Sequence, residues 1–543
     1  MSPTHRFSQL EPAAPVYPHG PRYILHVSFN RAFDLPPGDV PSFTSDPYIR
    51  ATLTFPGTNL PKLHRRTVTI RNTREAVWNE TWTVANIPCT GALLKVKVLD
   101  EDPGDHDDHL GTIRIPIQAT VGKQSIEQRL SMGRKNAWIG FLRYAVCAGG
   151  AKGSVQLDYE VTESNAEDNG RPYTIGPNWW SQHFSPLIGI ITHTPAAAPT
   201  SSNGDRQPLQ RFEFVATKLQ LSGPLPKELN TRYVAFRPII TTFYTKRGIL
   251  GIILNRALKR QYRTVYSYDR NTTYGIARFP NKDAAHPANH PEENDALDIA
   301  TQVLNFTHWG EGGRVYTFII TLDGEWRFTE TGKEFGIQML SKHTMHSCVS
   351  TYVAFAGEFF IRKEATAQRQ RGASVSSGIS ATKSPADSSS SYPNEKKIED
   401  YTLVIDNDSG TYRPPEENLP LLQEFLTKAI PGLRVEACHA LDEKHLAEKK
   451  KHAEERERTG RRRFKQPSSS RSSSEDGRGD GGGFSSGDEE ELQTGRMGRK
   501  RQLEMKAWRK VEGIDRNKMD GDGKGKVPVR DVSEAGLLSG RAN

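Results

Sequence analysis

Apolar and polar residues alternate one for one in Leu94-Lys95-Val96-Lys97-Val98 and again in Val155-Gln156-Leu157-Asp158-Tyr159-Glu160-Val161. A period of two places successive side chains on opposite faces of a strand, so each segment has one face to bury and one to solvate. Short runs of similar character fall at 23–29, 48–55, 66–70, 78–84 and 112–117, separated by turn residues. This rhythm, held over residues 20–163, predicts an antiparallel β-sandwich.

Beyond the sandwich the texture changes. Residues 1–19 are Pro-rich and read as a disordered leader, and 164–208 read as a linker. Residues 209–441 mix both periodicities and predict an α+β domain. Strands are expected at 262–268 and 273–279, with a helix over 296–306 capped by Asn294 or Asp295. A hairpin is expected around Asp323-Gly324, the dipeptide suited to a type I′ turn. Strands at 401–405 and 433–438 flank a helix that begins at Pro420. A Ser/Ala/Thr-rich stretch at 366–398 reads as a flexible insert. From 442 to 543 charge, Ser and Gly dominate, which predicts a disordered tail with too little apolar surface to offset its ordering entropy.

Apolar residues make up 35% of the 543, and mean hydropathy is −0.64, too polar for one compact globule of that length. The longest apolar run, 248–254, is far short of the roughly 18 residues of a spanning helix. With no secretory leader at the N-terminus, a cytoplasmic, peripheral membrane protein is expected. Four widely separated cysteines predict free thiols rather than a disulfide framework. A net charge of +9 favours acidic partners. The basic clusters at 449–451, 461–465 and 499–501 are diluted by interleaved acids, so they read as a solvated tail rather than a nucleic-acid surface.

The chemistry concentrates in two acidic loops. The first contains Asp34, Asp39 and Asp46; the second runs Asp100-Glu101-Asp102, then Asp105, Asp107 and Asp108. Asp100 and Asp102 are two residues apart and project the same way as the strand runs out. Carboxylates so crowded repel one another unless a cation neutralises them. Ca²⁺ suits them, because it takes six to eight oxygens in loose geometry and accepts shared carboxylates.

The blocks Asp34-Leu35, Ser45-Asp46-Pro47-Tyr48, Val77-Trp78-Asn79-Glu80, Val98-Leu99-Asp100-Glu101-Asp102 and Asp108-His109-Leu110-Gly111 resemble, in order and spacing, the C2 domain family. The resemblance covers about 20–163 and implies an eight-stranded sandwich, in the permuted form whose first strand leads into the first calcium loop. It implies calcium ligands at Asp39, Asp46, Asp100, Asp102 and Asp108, with Asp105 as a further, weaker one. It also implies docking on anionic phospholipid, with Val40 and Phe43 at the tip of the first loop and Lys62, Arg65 and Arg66 forming a basic strand. The whole chain resembles fungal proteins that join a C2 domain to an uncharacterised region.

The function implied is Ca²⁺-dependent peripheral membrane binding that targets or scaffolds the second domain, with protein partners besides lipid. Two alternatives stand beside it: a lipid-associated enzyme with its active site in 209–441, and a calcium-independent C2 protein-interaction module. Weaker motifs are Asp406-Asn407-Asp408, which resembles the strand-end Asp-x-Asp of phosphoaspartyl hydrolases, and His343/His346/Cys348, which offers soft metal ligands. The Trp179-Trp180 pair reads as interdomain packing. An EF-hand-like run at 520–531 carries Lys524 and Asp531 where a good site wants other residues.

Overall fold

The computed structural model describes residues 18–37, 44–101, 107–131, 153–164, 170–184, 214–232, 272–278, 297–330, 352–364, 396–409 and 413–459, with scattered positions at 251–266 and 346–350. All of them belong to one compact unit, Met1–Lys465.

The first eight strands are β1 (Arg22–Phe33), β2 (Pro47–Thr54), β3 (Leu63–Arg66), β4 (Ala76–Pro88), β5 (Ala92–Asp100), β6 (Asp108–Ile117), β7 (Gly122–Arg129) and β8 (Ser154–Glu163). A ninth, β9 (Tyr173–Gly176), adds to the edge of β4. They form two sheets, ordered β7-β8-β1-β4-β9 and β3-β2-β5-β6, with antiparallel neighbours throughout. Leu25, Val27, Phe29, Trp78 and Trp82 from one sheet meet Ile49, Leu53, Leu94, Val96 and Val98 from the other in a shared core. The alternation that defines β5 and β8 is therefore the inside–outside alternation of a sandwich.

Two strands differ from expectation. The ladder of β3 spans Leu63–Arg66 rather than 66–70. Residues 67–70 still run beside β2, with Thr67 N donating to Ile49 O (3.0 Å) and Ile70 N to Pro47 O (3.0 Å). β7 was not expected at all, because Gly122–Arg129 is exposed almost throughout and is held by its ladder to β8.

The second sheet begins inside the segment read as a linker, with β10 (Asn178–Phe184). It continues through β11 (Val215–Gln220), β13 (Thr272–Ala277), β14 (Tyr316–Ile320), β15 (Glu325–Glu330), β17 (Phe355–Lys363), β18 (Tyr401–Asp406) and β19 (Arg434–Cys438). Its order is β13-β10-β11-β15-β14-β17-β18-β19. Only the last pair is parallel, and α2 (Leu419–Ala429) makes its crossover. A small pair, β12 (Thr231–Arg232) and β16 (Tyr352–Val353), stands apart.

One face of the eight-stranded sheet, with Leu219, Phe318, Trp326, Phe328 and Phe359, is covered by α1 (Ile299–Phe306) and α2 through Ile299, Val303, Leu422 and Phe425. Asp298 caps α1, accepting from Thr301 N at 2.9 Å, a few residues later than expected. Tyr262 and Tyr266 are helical, not strand, and with Phe214 they lie on the opposite face. In the β14–β15 hairpin, Gly324 N donates to Thr321 O, and only Gly324 has positive φ (+79°). The turn is therefore type I with a glycine bulge, since type I′ needs positive φ at Asp323 as well. Within the segment expected as a disordered tail from residue 442, residues Glu443–Thr459 form the helix α3.

Candidate calcium edge and buried anchor

β2, β5 and β6 are neighbours, and their ends align: Pro47 pairs with Asp100, and Asp100 pairs with Asp108. Asp46, Asp100 and Asp108 thus come from two separate loops to one end of one sheet. Asp46 N donates to Asp100 Oδ1 at 2.5 Å, and Glu101 N to Asp46 O at 3.0 Å. The Asp46 carboxylate accepts from Asn72 N (2.8 Å) and pairs with Arg71 Nη1 (2.8 Å). The other arm of Arg71 reaches Glu101 Oε2 at 2.6 Å, and Arg66 holds Glu101 Oε1 at 3.0 Å. Asp107 accepts from the Tyr48 hydroxyl at 2.6 Å, and burial pushes its carboxyl above the usual range. Arg71, Glu101 and Asp107 carried no role in the sequence reading. Arg71 follows the 67–70 segment, and only the fold shows that its loop returns to the acidic end.

Asp39, Val40, Phe43, Asp102 and Asp105 lie outside the described residues. Among the described residues no group of three His, Cys, Asp or Glu side chains has a metal-holding arrangement. The donor set fits Ca²⁺ on its chemistry, being all oxygen and at strand and loop ends, with Arg71 as the resident counter-charge an ion would displace from Asp46.

The expected basic strand is corrected by the fold. Lys62 is exposed, but Arg65 and Arg66 are only 1% and 4% exposed. Arg65 follows Leu63 on the inward side of β3 and pairs with Glu80 of β4 at 2.5 Å. Its other arm donates to the Tyr274 hydroxyl at 2.8 Å. Arg66 stacks on the Tyr48 ring, 3.9 Å from its centroid, and Tyr274 of β13 donates to the Arg66 carbonyl at 2.5 Å. Neither guanidinium is available to a lipid head group. Trp179 stacks on Tyr274 at 6.3 Å, and Trp180 meets Phe306 edge-on at 5.1 Å, so both indoles pack the junction and the core.

A second polar centre lies where β18 ends. Asp406 is 0% exposed, and four donors reach its carboxylate. Oδ1 accepts from Asp408 N (2.8 Å) and Glu358 N (2.9 Å). Oδ2 accepts from His445 Nε2 (2.7 Å) and Lys449 Nζ (2.9 Å) of α3. Lys449 also lies 2.6 Å from Glu358 Oε2. Burial alone would raise the Asp406 pKa, but the His445 hydrogen bond, the Lys449 charge and the two backbone donors hold it at about 2. A carboxylate saturated in this way has no lone pair left for an incoming phosphoryl group; it anchors α3. His346 is likewise engaged, by Tyr266 (2.5 Å) and Thr329 (3.2 Å), and His343 lies outside the described residues.

Two facing sheets of this topology, with acidic loops gathered at one end, define a C2-type sandwich, and residues 23–132 match the family model of the C2 domain. C2 domains are membrane- and lipid-binding modules. Two curated proteins are similar over longer stretches. RasGAP-activating-like protein 1 of Mus musculus is 27% identical over 255 residues, 46% of this chain and 26% of that protein. Arrestin domain-containing protein B of Dictyostelium discoideum is 26% identical over 208 residues, 36% of this chain and 28% of that protein. The chain thus spans about a quarter of the length of each. Among solved structures, a single C2 domain from plant extended synaptotagmin 1 is 15% identical, covering 27% of this chain and 100% of that one, with a TM-score of 0.22. Among the described residues no helix is long and apolar enough to cross a membrane.

Proposed function

We propose that this chain docks reversibly on anionic phospholipid surfaces through its C2 domain in a Ca²⁺-dependent manner, bringing the second module with it. The observation that supports this most is the alignment of Asp46, Asp100 and Asp108 at one end of three adjacent strands. Asp39, Asp46, Asp100, Asp102 and Asp108 would hold the ion, with Asp105 as a further ligand. When bound, Ca²⁺ would turn an acidic edge positive and offer coordination positions to lipid phosphate oxygens. Val40 and Phe43 would enter the interface beside it, whereas Lys62 adjoins Leu63, which pairs with Leu53 at the far end of β2 from Pro47 and the acidic edge.

Co-sedimentation of the full chain with phosphatidylcholine vesicles, with and without phosphatidylserine, tests this reading. Pelleting is expected only with Ca²⁺ and phosphatidylserine together. It should be lost in Asp46→Asn/Asp108→Asn while circular dichroism stays unchanged. Equal pelleting under chelator removes calcium from the mechanism. One observation favours the alternative of a calcium-independent C2 protein-interaction module: Arg71 already bridges Asp46 and Glu101 as a resident counter-charge.

A further inference from the structure

Lys218 sits mid-strand in β11, and its cross-strand partner on β15 is Arg327. Two cations directly opposite one another destabilise a sheet unless each finds compensation. Arg327 finds it fully: it pairs with Glu325, donates to His346 O at 2.8 Å, and lies 5.0 Å from the centroid of the Tyr262 ring. Lys218 does not. It is 8% exposed, and its ammonium makes no hydrogen bond or ion pair among the described residues. It faces the rings of Tyr262 (5.1 Å) and Tyr266 (4.7 Å). The Tyr266 hydroxyl is fixed by His346, which Thr329 holds from the other side, so this aromatic wall is preorganised.

An ammonium surrounded by ring faces in place of hydrogen-bond acceptors is poorly solvated, and its neutral form is correspondingly favoured. Desolvation beside a second cation is a recognised way to activate a lysine. We propose that Lys218 is a nucleophilic amine that captures small aldehydes or ketones as an imine within this tyrosine-lined site. The Nζ lone pair adds to the carbonyl carbon as the C–O π bond breaks, giving a carbinolamine. That intermediate expels its oxygen as water, which carries off both amine hydrogens, and C=N replaces C=O. Nothing is oxidised or reduced.

The surroundings set the protonation state. Burial pushes the Lys218 pKa down to about 8. Glu325 opposes this, Arg327 adds to it, and Cys348 and Asp323 oppose it more weakly. An ordinary lysine titrates near 10.4, so at pH 8 the free-amine fraction of Lys218 is about 100-fold larger. Lower basicity costs part of that advantage in nucleophilicity, leaving a net gain of about 10-fold on a Brønsted slope near 0.5.

The test uses the full chain and acetylacetone, a small 1,3-diketone whose imine tautomerises to a stable enaminone, with peptide mapping to locate the adduct. At pH 8 the Lys218 peptide is expected to label about 10-fold faster than the peptides of exposed Lys62 and Lys444. Its rate should level off above pH 8 while theirs is still rising. Arg327→Met should move the Lys218 plateau to higher pH, and Lys218→Arg should remove the fast phase. A purely structural lysine labels more slowly than exposed ones in the folded protein. Labelling of Lys218 no faster than Lys62, or only after denaturation, overturns the proposal.

Discussion

A single carboxylate, Asp406, holds together the end of β18, the neighbouring strand β17 and helix α3. Removing one partner of such a buried set leaves the others as uncompensated charge, which costs about 3–5 kcal/mol. Asp406→Ala is therefore expected to lower unfolding free energy by that amount in urea titrations. The pH dependence follows from the same contacts. The folded pKa, about 2, lies below the unfolded value of about 3.9, so the contribution is complete above pH 4 and is lost as pH falls toward 2. Acid unfolding of Asp406→Ala should accordingly be shallower across that window. Cys438 offers a second check at this scale: burial, then the nearby Glu436, raise its thiol to about 12. Iodoacetamide at pH 8 should modify exposed Cys89 well before Cys438. The acids were legible at this scale, because Asp46, Asp100 and Asp108 stand beside recognisable strand ends. The arginines were not. Arg65 and Arg66 read as a solvated basic face, and only their partners Glu80, Glu101 and Tyr274, at distances of 15 to over 200 residues, reveal them as interior groups.

Among elements, period-two alternation identified the strands whose two faces differ, and β5 and β8 stand where it placed them. It missed β7, whose single apolar residue, Ile126, leaves no pattern to detect. It also missed β9 and β10, which lie in a segment read as a linker. Helix α3 was invisible for a related reason. Its inward stripe is the buried His445 and the half-buried Lys449 and His452, polar types that a hydrophobic pattern assigns to solvent. The docking of α3 is tight: Gly313, at φ +64°, lies so close that a Cβ would strike the His452 carbonyl oxygen. Gly313→Ala thus meets both a clash and a left-handed backbone cost of roughly 1–2 kcal/mol. It should speed amide exchange across 443–459 while β1–β8 stay protected, as mass spectrometry can read.

At the scale of the molecule, the compact unit takes in α3, beyond the boundary expected at residue 441. Truncation after residue 441 removes His445 and Lys449 from Asp406 and uncovers Phe360, so its melting temperature should fall by several degrees. Truncation after 465 should leave the melting temperature within about a degree of the full chain, since Gln466–Asn543 clusters as a separate unit. The opposite result would place the stabilising contacts in the tail. The C2 sandwich, too, is not closed at residue 163. Trp82 donates to Thr174 of β9 at 3.2 Å, and Arg171 donates to Leu229 O and Lys227 O, farther along the chain.

Only Pro177 separates β9 from β10, yet β9 hydrogen-bonds into the sandwich and β10 into the eight-stranded sheet. A chain that changes sheets within one residue leaves no slack for a swivel. If the sandwich is gripped at a membrane, traction on it passes as shear along that rung into the neighbouring body. The two modules would then tilt as a single plate instead of flexing like beads on a string.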